Sequence, residues 1–574
     1  MRMKKMVIAV LAGTMVLFSC SKDNLDSTGS SGSAAGDSAG EEIDVNSSDD
    51  LIANTSFDRT LTVTYSSSGA SVSGADGLTV AISGAGVTIT NSGDEVVKYV
   101  LSGSSSNGYF KLYSSKKQAI VLSGLTLTNP SGAAINNQSH KRTFVVLEGT
   151  NTLADGTYTE SSTEDEKAAF FSEGQLVFSG SGTLNVNATG KSGITSDDYV
   201  RVLDGPTLKV NSTAGHGIRG KEAVIVSGGT IDVVVSATGK KGFNSDTLVY
   251  FGGGVTTITS TSAAGTVDGE LTGAAGIKAD LRFVMDDGKL TVNCSGQGCK
   301  GIAGDNVAYF NGGNVLVRVT GSNYGSSSSS GMGGFGPGGM GGFGPGRSSS
   351  SSSNSKSAKA VKFDGNIYIT GGVLNTRASS HEAIESKGNI VISGGEVYAE
   401  SSDDGINSSK DFTISGGTVC GISSGNDGLD ANGNFYIKGG TVYAAGSGGA
   451  ELAIDANTEG GARLYVSGGT IVAIGGLEGG SSLTQTCYYS SSWTKSSWYE
   501  IAVGSSSFVF KTPSSGGSGI VVSGSSKPSL TSGVTVSGGT EILNGMAKTG
   551  ASVSGGSSVS LSQYSSNSGM GGRK

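Results

Sequence analysis

Acidic side chains recur at fixed offsets along one stretch of this chain. Glu382, Asp404 and Asp427 stand two positions ahead of an aliphatic residue, while Glu385, Asn407, Asp430 and Asp455 stand one position behind it. Asp403 and Asn426 precede the first set. Between residues 381 and 460 there are twelve acids against three lysines and no arginine, although the whole chain carries a formal net charge of only −8. If the offsets stack neighbouring repeats, these carboxylates lie about 5 Å apart. They then repel unless water, a proton or a cation intervenes. A hard cation that takes oxygen ligands, calcium above all, is one reading. A solvated acidic face that keeps a glycine-rich body soluble is the other.

The same offsets upstream carry the opposite charge: His216, Arg219, Lys241, Lys278, Lys300, Lys359 and Lys362. A ladder of cations on a long face suits an extended polyanion. Asp197, Asp246, Asp280, Asp305 and Asp364 are interleaved with it, so pairing between neighbours explains the lysines equally well. A third series is aromatic. Tyr368, Tyr436 and Tyr465 fall at an outward strand position, and Tyr398 and Tyr443 fall outward on the strand that follows. Tyrosines there suit sugar rings or serve strand packing alone. A pI near 5.1 argues against nucleic acid.

What must hold these residues in line is a repeat. Gly-Gly doublets end at Gly229, Gly254, Gly313, Gly372, Gly395, Gly417, Gly440 and Gly469, mostly 22 to 25 residues apart, with weaker copies at Gly182, Gly205 and Gly288. Fragments such as IVISGGEVYA and FYIKGGTVYA read as two short alternating strands hinged at the glycines. A unit of that length cannot bury a core by itself and must stack on its neighbours. An aliphatic or aromatic column keeps phase with the doublets at Phe170, Ile194, Ile218, Phe243, Ile277, Ile302, Val361, Ile384, Ile406, Leu429 and Ile454. The fold expected is all-β: a single-stranded, right-handed parallel β-helix of about twelve coils.

The first twenty residues join Arg2, Lys4 and Lys5 to an apolar run ending in Leu17-Phe18-Ser19-Cys20. This reads as a secretory signal too short to span a membrane. Its end resembles the bacterial lipobox, which makes Cys20 the lipidated first residue of the mature chain. Ser21-Lys22-Asp23 is similar to the signal that sends lipoproteins of the Bacteroidota to the cell surface. Residues 21–50 read as a flexible Ser/Gly/Asp tether and 51–480 as the β-helix. Residues 322–357 are a Gly/Ser-rich insertion looped out of one coil. Residues 481–574, with Trp493 and Trp498, are expected to form a C-terminal cap or small β appendage. Cys294 and Cys299 are close enough in sequence to bridge locally.

The coils HEAIESKGNIVISGGEVYAE, DDGINSSKDFTISGGTVCG and NDGLDANGNFYIKGGTVYAA resemble a family of secreted bacterial carbohydrate-binding proteins first recognised in a cellulolytic clostridium. That family is related to the family-nine pectate lyases. The resemblance covers roughly residues 110–480 and implies cellulose or pectic polysaccharide as partner and calcium as cofactor. By it, Asp404, Asp427, Asp430 and Asp455 are calcium ligands, with Glu385 and Asp403 as second choices. The lyases add a lysine that abstracts a proton beside the metal; here Lys387, Lys410 and Lys438 are the nearest, and none sits in a recognisable catalytic arrangement. The expectation is a monomeric, lipid-anchored protein of the outer membrane or cell surface. It binds polysaccharide without cleaving it, through Lys241, Lys278 and Lys300 and through Tyr398, Tyr436 and Tyr443. A calcium-dependent lyase and a structural or adhesive rod remain the alternatives.

Overall fold

The computed structural model describes residues 43–158, 164–325 and 355–565. The signal segment, Cys20 and most of the tether and of the Gly/Ser-rich insertion lie outside them. The body from Val45 onward is a parallel β-solenoid of about 14 turns. Each regular coil gives one short strand to a 14-stranded sheet and two to a 30-stranded sheet. One coil runs Ile384–Ser386, Ile390–Ile392 and Glu396–Ser401; the next runs Ile406–Ser408, Phe412–Ile414 and Thr418–Ser423.

Burial of the alternating apolar positions is what stacks the coils. The aliphatic column pairs rung on rung from Phe170 and Ile194 through Ile406 and Leu429. Every member is fully buried. Single bridges carry it on to Ile454 and Leu477. The doublets form the corner between the two strands of the larger sheet, and their second glycines need left-handed backbone. Gly417 has φ of 76°, and a Cβ there would lie 2.7 Å from the carbonyl oxygen of Gly395 one coil back.

There are more turns than the twelve expected because the first coils carry no Gly-Gly doublet. They use longer strands, Arg59–Ser66, Val97–Ser105 and Gln118–Thr128, which stack in parallel all the same. The tether also ends earlier than residue 50. Asp50 is 1% exposed. Arg142 Nε and Arg201 Nη1 lie 2.7 and 2.8 Å from its carboxylate, and the Tyr199 hydroxyl donates to it at 2.5 Å. Ile52 and Phe57 pack beside it on Ala119, Phe144 and Val177. A buried ionic contact next to an apolar patch ties this segment across the coils.

Ser482–Leu483 still pairs in parallel with Leu464–Val466, and beyond it the pairing becomes antiparallel. Ile520–Ser523 pairs with Thr470–Ile474 of the last regular coil and with Cys487–Ser490. A six-stranded sheet containing Trp498–Val503 and Ser506–Lys511 follows. Its Tyr499, Ile501, Phe510 and Leu530 pack on Tyr398, Cys420, Tyr443 and Val472 of the coils. The appendage therefore covers a flank of the solenoid. Cys294 and Cys299 are buried and unbridged.

Candidate functional site

The strands of the 14-stranded sheet alternate inward and outward, so the residue after each column member faces out. In register these are Thr195, Arg219, Asn244, Lys278, Ala303, Lys362, Glu385, Asn407 and Asp430. The residues two before the column form a parallel row in which Lys241, Ala275 and Lys300 occupy successive rungs. One face thus runs from basic to acidic along the axis. The border lies at Lys359, whose Nζ stands 3.0 Å from Glu382 and also pairs with Glu385.

Of the six residues expected to hold calcium, the fold brings four together. The carboxylates of Asp427, Asp430 and Asp455 lie within 4.8 Å of one another. Asp404 adjoins them: its Oδ1 accepts from the Asp427 backbone N–H at 3.1 Å, and Asn407 Nδ2 donates to Asp404 Oδ2 at 3.1 Å and to Asp430. Burial, reinforced by the charges of Asp430 and Asp403, pushes Asp404 up to about 8. Burial and the Asp427 charge take Asp430 to about 7, and Asp427 itself rises to about 6 mainly through burial. Asp455 is raised strongly by burial and by sharing a hydrogen bond with Glu478.

No basic side chain lies within ion-pair distance of these acids among the described residues. Clustered, desolvated oxygen donors without a cationic partner fit a hard divalent cation.

The second choices lie elsewhere. Glu385 belongs to a buried ion-pair group. Burial alone would raise its carboxyl, but the Lys359 and Lys387 ammonium groups outweigh it and hold it below the usual range. Asp403 is 2.8 Å from His381 Nδ1 and is lowered by that contact. Burial opposes a charge on His381, yet its hydrogen bonds to Asp403 and Glu382 push it up to about 9. Sequence reasoning missed Glu478. It follows Leu477 as Asp455 follows Ile454, and extending the column by one member would have found it.

The lysines divide. Lys278 pairs with Asp280 at 2.8 Å and with Asp305, Lys362 pairs with Asp364, and Arg219 lies 3.1 Å from Asp246. Lys278 is thus paired with neighbouring carboxylates, the alternative to ligand contact that the interleaved aspartates offered. Lys241 and Lys300 have no carboxylate within ion-pair distance among the described residues. Burial, then neighbouring cations, brings each of them down to about 8. Lys241 Nζ donates to the Gly239 carbonyl at 2.9 Å. His216, down to about 3 through burial, accepts the Lys241 backbone N–H at 3.1 Å.

The tyrosine expectation needs correction. Tyr398 and Tyr443 are 3% and 0% exposed, because the appendage lies over them. The Tyr443 hydroxyl donates to the Lys511 carbonyl at 2.9 Å, and its ring stands 5.2 Å from that of Phe510. Tyr436 does face outward, but Tyr465 stacks parallel to it at 5.0 Å and Lys438 Nζ stands 5.0 Å from its centroid. Tyr309 and Tyr368 stack likewise at 5.3 Å. Ladder tyrosines turn their faces to one another along the axis and leave edges and hydroxyls outward.

No curated protein matches the chain. A solved structure, the polysaccharide lyase-like protein from C. thermocellum in its gadolinium derivative, is 22% identical over 46% of this chain and 95% of its own, with a TM-score of 0.33. Residues 83–405, more than half of the sequence and most of the regular coils, match the model of the carbohydrate-binding domain-containing proteins, and the chain belongs to that family.

Proposed function

We propose that this protein is a cell-surface lipoprotein, anchored through Cys20, that holds acidic polysaccharide on the basic half of its solenoid without cleaving it. The observation that carries this reading is the pair Lys241 and Lys300. They are desolvated, two rungs apart on one row, and free of carboxylate partners among the described residues. An uncompensated cation at such a site costs free energy until an anion arrives. A chain bearing repeated carboxylates supplies one at each rung or two. Asp404, Asp427, Asp430 and Asp455, with Glu478, would hold calcium, whose charge would join the acidic coils and stiffen them.

Binding is favoured over lyase chemistry by position. Lys300 and Asp404 are three rungs apart on the same row, roughly 14 Å along the axis at the usual strand spacing. The lysine between them, Lys359, is committed to Glu382 and Glu385. The experiment is retention on immobilised polygalacturonate together with ultraviolet absorbance of the soluble phase. The double substitution Lys241→Glu/Lys300→Glu is expected to abolish retention, and the polymer to stay intact. Equal retention by the variant overturns the site, and calcium-dependent growth of unsaturated products overturns the non-catalytic reading.

A further inference from the structure

The C-terminal appendage lies beyond the family-matched residues and contains a cleft of about 780 Å³. A volume of this size suits a small-molecule site. Its walls come from the strand Cys487–Ser490, the loop that follows it, Tyr499, Ser532, Val559, Ser560, and Ser562, which pairs with Tyr489. The eleven lining residues are three aromatics, one valine and seven serines or threonines, with no charged side chain among them.

The aromatic groups are held in place. Trp493 Nε1 donates to the Gly517 carbonyl at 2.9 Å. The Tyr499 hydroxyl accepts the Thr494 N–H at 2.8 Å. The Tyr489 ring stands 6.3 Å from that of Tyr564. With its one donor engaged inside the protein, the half-buried indole has only apolar carbon surface to offer the cleft.

Tyr499 is buried, so the aromatic surface of the cleft comes from the half-buried Trp493 and Tyr489. Set among serines and a threonine, it complements a molecule with apolar C–H faces and a hydroxyl rim. The absence of charge on the walls leaves nothing to compensate a uronate or sulfate. We infer that this cleft is a second binding site and that it takes a neutral sugar unit, independently of the anion-binding lysine row on the coils. The protein then grips two chemistries of glycan at two places: acidic chains on the solenoid and uncharged chains on the appendage.

The chain has two tryptophans, Trp493 and Trp498, and both lie in the appendage, so its tryptophan fluorescence reports this region alone. The test titrates the full chain with cellohexaose, xylohexaose and mannohexaose in chelator and follows that fluorescence. A saturable change is expected with at least one of the three. Ser560→Arg, which places a long cation in the opening, is expected to weaken that binding about tenfold or more while leaving the melting curve unchanged. Ser491→Arg serves the same purpose if Ser560→Arg does not fold. The Lys241→Glu/Lys300→Glu protein is expected to keep the fluorescence response even as it loses polygalacturonate, so the two sites fail separately. No saturable response to any of the three sugars, or an equal response in the blocked variants, overturns the inference.

Discussion

Lys359 and Glu382 occupy adjacent rungs of one row, with their charged atoms 3.0 Å apart, and they join the basic half of the face to the acidic half. Lys359 also pairs with Glu385. Lys359 is 6% exposed and Glu385 1%, so this is an interior ion-pair group and not a surface contact. At the border between the two halves each buried charge thus meets its opposite across a single strand spacing.

Replacing Lys359 with Met should therefore destabilise the protein by about 3–5 kcal/mol, because buried carboxylates are left without their main cation. Adding Glu385→Gln to Lys359→Met should recover part of the loss. Chemical denaturation of the single and double variants measures both. A single variant as stable as the parent would show that the pair is not buried in solution.

The carboxylate cluster predicts how stability depends on pH. Asp404, Asp430 and Asp427 titrate near 8, 7 and 6 in the folded chain, against about 4 in an unfolded one. Between those values these three carboxyls bind more protons in the folded chain, so in chelator their contribution to stability falls as pH rises from about 4 to about 8. Calcium requires the ionised carboxylates, so it should restore the stability lost at the alkaline end. Melting temperatures at about pH 5 and about pH 8.5, with calcium and with chelator, test this. Coincident curves would remove the metal from the acidic coils. Glu478→Gln should reduce the calcium-induced rise, whereas Glu385→Gln should lower the baseline and leave the rise intact.

Lys278 and Lys241 should behave differently despite their shared sequence pattern. Lys278→Gln frees Asp280 and Asp305 and removes no unpaired cation, so retention on polygalacturonate should change little. Lys241→Gln should weaken retention and reduce its salt dependence, since one screened charge contact is gone. Elution along a salt gradient separates them. Equal shifts would return Lys278 to the binding surface.

Cys20→Ala should abolish lipid labelling and release the protein from the membrane fraction. Among the described residues no helix is long and apolar enough to cross a membrane. Fractionation of labelled cells reads the result. Unlabelled protein that stays with membranes would contradict the anchor.

The solenoid was legible because stacking imposes one period on every buried position, and the column from Phe170 to Ile454 carries that period in its residue types alone. The same period placed Asp404, Asp427, Asp430 and Asp455 together. It stopped short of Glu478 only because the doublets lose phase there. The first coils fall within the 51–480 span read as β-helix, but they do not enter the count of twelve because their corners are not Gly-Gly. Tyr398 and Tyr443 point outward with respect to the coil, as their strand positions predict. Nothing in their local pattern reveals that Phe510 and its neighbours, more than sixty residues away in sequence, lie over them. Lys278 and Lys241 share an offset, and only the reach of Asp280 and Asp305 tells them apart.

Asp50 engages Arg142 and Arg201, which belong to coils two rungs apart. The chain then runs through Phe57 to the strand Arg59–Ser66 of the first coil. A pull arriving from the residues before Val45 meets this clamp first and is spread as shear over several rungs. Such a joint works like the strain relief on a cable, where load is taken up on the sheath and the terminal connection stays slack. The strand Arg59–Ser66, paired with Gly69–Ser73 on one side and Val97–Ser105 on the other, is spared peeling, the geometry in which its hydrogen bonds would fail one at a time.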